Sequence, residues 1–235
     1  MGLHRFDFVY RIIPIYQLVL LNSTVCYFVS SVRCLTFHLH DFNSKFQELL
    51  ESRTKSEQLS ERLLAAFSFH KTLAQKVRQM DGIFRVFIFC MLVTNVPMTV
   101  FGAITLVRRK NLLSFIFALY DVIFCTVQLT VLTMVPAKLY AELYAFPSHI
   151  YWGHAVWTRY DPEVFQILRT VSEYVQQLQV GLSFGGLVII RKSSVLTAIV
   201  LIVPYVVLSY QLYTQGGKNS QQRVMFSKLL GTSEN

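Results

Sequence analysis

The side chains able to do chemistry are few. His38-Leu39-His40-Asp41 places two imidazoles and a carboxylate within four positions, the residue types of a metal or acid–base site. On a helix, however, His38 and His40 point roughly 200° apart and do not share a metal, so they read as polar residues beside a membrane span. His149 and His154 flank Trp152 with no carboxylate within four residues, and read as interfacial. The sequence has no GxSxG, no HExxH and no P-loop. Cys26, Cys34, Cys90 and Cys125 form no CxxC and have no histidine at zinc spacing, which predicts buried free thiols. The expectation is therefore no enzyme, no catalytic residue, no metal and no cofactor.

Polar side chains inside apolar runs carry more information, because burying them costs free energy. Asp121 is the one acid well inside such a run. Tyr120 adjoins it and Gln128 follows two turns on, and these three are the candidate ligand pocket. Asp121 either lines a water-filled cavity or ligand pocket, or it pairs with a neighbouring helix. Arg85 lies near the start of its run and can snorkel to the headgroups.

These residues need elements to hold them, and the composition says which kind. The chain has 235 residues, 53% hydrophobic and only 15% charged, with a formal net charge of +9. Ordinary soluble domains carry about a quarter charged residues. With a mean hydropathy of +0.44, the composition excludes a disordered chain, a collagen and a disulfide mini-protein, and it weighs against a soluble nucleic-acid binder. The expected fold class is all-α: a polytopic helical membrane protein with about four transmembrane helices in a single membrane domain, its partner the lipid bilayer.

The spans are predicted at about 12–32, 83–107, 112–139 and 195–213. The first is too long for a signal-peptide core and no small-x-small cleavage site follows it, so it reads as a span. Pro97 and Pro136 can kink the second and third. Two amphipathic helical connections are predicted, at about 42–80 and 161–181. In the first, Leu59, Leu63, Phe67, His70, Leu73, Val77 and Met80 recur at helical spacing. The second begins at Asp161-Pro162-Glu163, an N-cap followed by proline at N1 and an acid, and Gly181 is its natural stop. Between them, Ala145-Phe146-Pro147 through Trp152-Gly153 reads as an interfacial loop with aromatic anchors. The stripe of Val164, Ile167, Leu168, Val171, Val175 and Leu178 can pack on the other amphipathic helix or on other subunits; a membrane-surface role is the competitor. Both long connections fall on one side of the membrane. They carry thirteen basic residues against eight on the other side, which favours the cytoplasm, while the Arg108-Arg109-Lys110 turn argues the opposite way.

The C-terminal stretch is the most specific. It contains Gly185-Gly186, then Arg191, then an apolar run to Pro204-Tyr205, five residues, and Gln211-Leu212. This resembles the last transmembrane helix of the insect gustatory and odorant receptor superfamily, whose signature is Thr-Tyr, five mostly apolar residues and Gln-Phe. Tyr205 and Gln211 match at that spacing. Pro204 and Leu212 stand where Thr and Phe are usual, and Arg191 stands where an acidic or polar residue is common. Gly185 and Gly186 fall where the family has small residues. The order of spans and long helices is also similar.

The resemblance implies a seven-transmembrane chemoreceptor of which this chain corresponds to the C-terminal four spans, a truncated or partial member. It implies a gustatory-receptor-like subunit of a ligand-gated, nonselective cation channel in the plasma membrane, assembled with like or related subunits as a tetramer. The long connections would be cytoplasmic and would form the subunit-packing anchor. Tyr205, Ser209 and Gln211 would line the pore, next to an apolar wall from Ile199 to Val207 able to gate by closing an apolar constriction. A small-molecule ligand is implied but not specified. The alternative is a non-conducting multispan scaffold or accessory subunit.

Overall fold

The computed structural model describes residues 3–51, 56–108, 111–146, 148–149, 161–194, 196, 207 and 211, with side chains described throughout these except at 3–15, 56–57 and 107–108. The chain is mostly helical. Its main elements are α1 (Leu3–Glu51), α2 (Ser56–Arg108), α3 (Leu112–Leu143) and α4 (Pro162–Gln177), followed by the strands β1 (Ser183–Phe184) and β2 (Val188–Ile189). Helices α1, α2 and α3 are long and apolar enough to cross a membrane, and they contain the first three expected spans. The fourth, 195–213, lies outside the described residues apart from 196, 207 and 211.

Helices α1 and α2 have 49 and 53 residues. At 1.5 Å per residue each is more than twice as long as the roughly 30 Å of a hydrocarbon core. Each therefore has an apolar half and a polar half, and one stripe runs through both. In α2 the buried residues Leu63, His70, Val77, Phe84 and Met91 recur at every seventh position, with Ala74 and Ile88 between them and Asn95 beyond. In α1 the stripe is Phe28, Val32, Leu35, Leu39, Phe42 and Phe46; in α3 it is Leu129, Leu132, Leu139 and Leu143, continued by Phe146. A spacing alternating between three and four is the seam of helices packed at about 20°.

The expected helix over 42–80 is divided between two elements: α1 ends at Glu51 and α2 begins at Ser56. From Glu51 to Gln58 the sequence offers no apolar residue to either stripe, more than two turns with nothing to bury.

Two compact units divide the chain: Met1–Phe89 with Val131–Lys192, and Cys90–Thr130 with Ser193–Asn235. In the first, α1 and α2 run antiparallel. Phe28 meets Phe84 with ring centroids 5.1 Å apart, and Phe42 meets His70 at 5.9 Å. The end of α3 docks on this pair through its terminal carbonyls, which have no intrahelical partner. Asn43 Nδ2 of α1 donates to the Glu142 carbonyl at 2.9 Å, and His70 Nε2 of α2 reaches the Leu143 carbonyl at 3.2 Å. Phe146 then turns into the core. It lies 4.2 Å from Phe46, 5.4 Å from Phe42 and 4.9 Å from the His70 ring. Its 1% exposure takes Phe146 out of the expected interfacial anchors: an aromatic just past a helix end fills the gap between two other helices, while 147 and 150–153 of the expected loop lie outside the described residues. Trp152 lies outside the described residues.

In the second unit α2 and α3 approach closely at Gly102, where an added Cβ would lie 2.8 Å from Val122 Cγ2. Small residues permit such approaches in apolar surroundings. The hydroxyls here are satisfied within their own helices: Thr94 bonds to the Cys90 carbonyl, Thr99 to Asn95, Thr105 to Phe101 and Thr126 to Val122, at 2.7–2.9 Å. Large apolar side chains such as Phe101, Ile116, Phe117 and Ile123 remain exposed. Only 22% of the most apolar window of α2, and the same share in α3, is buried within the chain. The four free cysteines follow this pattern: Cys26, Cys34 and Cys90 are exposed and Cys125 is half-buried, a correction to the expected buried thiols. They sit off the seven-residue stripe or at its margin.

Phe146→Ala is expected to cost about 3–5 kcal/mol, the range for removing a buried aromatic, whereas exposed Phe117→Ala stays within about 0.5 kcal/mol. Denaturant titration of the detergent-solubilised chain measures both, and equal losses would contradict this packing.

Candidate functional site

Helix α4 begins as its sequence demands. Asp161 is extended and accepts from the Glu163 N–H at 2.9 Å, with Pro162 at the first helical position. It ends at Gln177 with Leu178 as C-cap, four residues before the expected stop at Gly181. The cause is Tyr144. Its hydroxyl donates to the Leu178 carbonyl and accepts from the Val180 N–H at 3.2 Å. A phenol from just beyond α3 thus takes the backbone groups that another helical turn would have used. Burial pushes the Tyr144 pKa up, with the Val180 hydrogen bond opposing, so the proton needed for donation is held.

The next residues form a hairpin instead of leading directly into a helix. Ser183 pairs with Ile189 and Phe184 with Val188. Gly185 and Gly186 have φ of 59° and 80°, and the Leu187 N–H returns to the Phe184 carbonyl at 3.0 Å. Gly185, Gly186 and Leu187 form a three-residue loop, and the two successive positive φ values in it favour glycine. The two glycines, read from sequence as small residues preceding a span, are the tip of this hairpin. Gly181 serves a different purpose: a Cβ there would lie 2.6 Å from Ile189 Cγ2 and 3.1 Å from the Tyr140 ring.

Helices α2 and α3 hold the hairpin at several points. Asp81 Oδ1 accepts from the Ser183 N–H at 2.6 Å and from its hydroxyl at 2.8 Å, and Ser183 Oγ in turn accepts from Gly186 N–H at 3.1 Å. The Gly185 N–H donates to the Arg85 carbonyl at 3.2 Å. The Arg191 guanidinium lies 5.1 Å above the Tyr140 ring, which stacks on Tyr144 at 4.3 Å. This clasp fixes the chain immediately before residue 195. Sequence reading missed it, although Ser-Phe-Gly-Gly-Leu-Val-Ile carries a hairpin signal.

The residues singled out from sequence fall as follows. Tyr205 and Ser209 lie outside the described residues, and Gln211 is helical and exposed. In the second unit, Tyr120 is 62% exposed and stacks on Phe124 with centroids 6.1 Å apart. Asp121 is exposed beside it, and Gln128 is buried about 10 Å further along α3. On α4, Val164, Leu168, Val171 and Val175 are buried within this chain, and Ile167 and Leu178 are half-buried. The stripe assigned to subunit packing is thus largely taken up internally. Tyr174 beside it meets Phe67 of α2 edge-on at 5.0 Å, so α4 touches α2 there. Among the described residues no three of His, Cys, Asp and Glu converge as metal ligands. His40 lies 3.6 Å from Glu142, while His38 is exposed.

No family model matches the chain, and no curated protein matches it.

His70 stands 13 residues before the apolar segment at Ile83, and burial lowers its pKa while the Leu143 carbonyl opposes. Because that carbonyl only accepts, Nε2 carries the proton of the neutral ring. Nδ1 is buried without a hydrogen-bond partner. A folded pKa below the ordinary value of 6.5 means that the unfolded chain binds the proton first. Stability is full above pH 6.5 and falls as the pH drops towards the folded pKa. The unfolding midpoint is expected to decrease from about pH 7 to about pH 5, and His70→Leu to flatten that dependence. Tyr144→Phe is expected to cost about 1–3 kcal/mol and to speed amide exchange around Val180, read by hydrogen–deuterium exchange. Unchanged exchange there would contradict the role of its hydroxyl.

Proposed function

We propose that the chain is a gustatory-receptor-like membrane protein, a subunit of a ligand-gated, nonselective cation channel in the plasma membrane. Two features support this reading: the Pro204-Tyr205 to Gln211-Leu212 pattern, and a structural observation on Asp121. This acid is exposed on α3, nine residues or about 14 Å from the helix start. At bilayer depth a charged side chain costs about 2.5–3.5 kcal/mol even on the lenient scales. A carboxylate left outside the chain's own packing is better placed facing water or another subunit than facing acyl chains. A channel assembled from subunits supplies both.

In this reading α1, α2 and α3 are spans, and the residues from 195 to 213 form the pore-lining segment with Tyr205, Ser209 and Gln211 towards the pore. The polar halves of α1 and α2, with α4, form the cytoplasmic anchor. The clasp formed by Asp81, Tyr144 and Arg191 has a mechanical part. It holds residues 181–191, which precede the pore segment in sequence, to the helices that carry the anchor. Neither catalysis nor a cofactor belongs to this function.

Whole-cell recording of the chain expressed alone and with a full-length member of the same superfamily tests this. A constitutive or tastant-evoked cation current altered by Gln211→Ala, with surface labelling unchanged, is the expected result. Confirmed surface delivery with no current in either condition would favour the non-conducting scaffold.

A further inference from the structure

A groove of about 610 Å³ opens between α1 and α3 in the first unit. It is lined by Arg33 and Phe37 from α1 and by Met134, Val135 and Lys138 from α3. The positions of the two cations are set by the sequence. Arg33 is the first charged residue after Arg11 on α1, and Lys138 is the first after Asp121 on α3. Each therefore marks the level at which its helix leaves the apolar zone, and both helices leave on the same side.

The groove's electrostatics favour an anion. Glu142, its one carboxylate, is already engaged by Asn43 Nδ2 at 3.3 Å and by His40 at 3.6 Å. Among the described residues neither Arg33 nor Lys138 has an acidic partner, whereas Lys45 pairs with Asp41 and Arg169 with Glu173. The apolar lining on the span side of Lys138 is open as well: Met134 is 53% exposed. Two unpaired cations at headgroup level above an exposed apolar wall match a molecule with a negative head and a hydrocarbon tail.

We propose that this groove binds an anionic phospholipid of the leaflet facing the polar halves of α1 and α2. Its phosphate lies between Arg33 and Lys138, and an acyl chain lies along Met134 and Val135. The site rests on the reading of α1 and α3 as membrane spans. It does not depend on ion conduction.

The test uses the full chain in nanodiscs of equal phosphatidylserine and phosphatidylcholine, released for native mass spectrometry. Bound phosphatidylserine should exceed phosphatidylcholine. Each of Arg33→Gln and Lys138→Gln should reduce that preference about fivefold, the contribution of one basic residue beside an anionic leaflet. Lys45→Gln and Arg169→Gln, whose charges are paired elsewhere, should leave it intact. An inserted chain with no preference, or one that the Arg33 and Lys138 variants retain, overturns the site alone. A chain that alkaline carbonate extracts from cell membranes overturns the spanning reading and the site with it.

Discussion

The rings of Phe42, Phe46, His70 and Phe146 close on one another with centroids 4.2–6.1 Å apart. Three separate segments meet there. Phe42 and Phe46 come from α1, His70 from α2, and Phe146 from just beyond α3. A helix pair joined by a short polar connection can slide by a turn with little loss if its seam is all aliphatic. Large rings that stack on one partner cannot, because a one-turn shift moves each ring by about 5.4 Å. The cluster thus sets the register of α1 against α2. It also sets where α3 must end, since the carbonyls of Glu142 and Leu143 find Asn43 and His70 only in that register.

From this fixed end of α3 the rest follows in sequence. Tyr140 and Tyr144 lie on the final turns of α3 and just past them, so their rings are placed by the same docking. Tyr144 then ends α4 at Gln177 and draws the chain into the hairpin. The hairpin in turn finds Asp81 and the Arg85 carbonyl on α2. The polar halves are thus held by directional bonds between elements far apart in sequence. In the apolar halves large side chains stay outside and a glycine brings α2 and α3 together, while hydroxyls fold back on their own helices, as Ser68 and Thr72 also do in the polar half of α2. Hydrogen-bonding groups that cannot reach water must be satisfied locally.

Much of this was legible in the sequence, for identifiable reasons. The three long apolar runs and the stripe from Leu63 to Val77 announced their helices, because burial at a fixed period leaves its mark on every turn. Asp161-Pro162-Glu163 announced the start of α4, because a cap is a local device. The break between Glu51 and Ser56 lay in a run of polar residues with no glycine or proline to mark it, and the periodicity on both sides carried the reading across. The end of α4 was misplaced because Tyr144, more than thirty residues away, decides it. Gly185-Gly186 had a local hairpin signal that was read instead as the approach to a span. The cysteines and Phe146 exchanged expected places, since an apolar neighbourhood in sequence does not say which face of a helix looks outward. Of the candidate site residues, Asp121 and Gln128 share a helix, and only the fold shows that the first is exposed and the second buried.

The central proposal is that Lys71 and Arg169 stand on one side of a membrane and Asn111 on the other. Cysteine scanning in a chain whose four native cysteines are replaced by serine tests this most directly. Single cysteines at Lys71, Arg169 and Asn111, all exposed, are probed in intact and permeabilised cells with a membrane-impermeant maleimide. The account predicts labelling of position 111 in intact cells, and of positions 71 and 169 only after permeabilisation. Labelling of positions 71 and 111 under the same condition would contradict it.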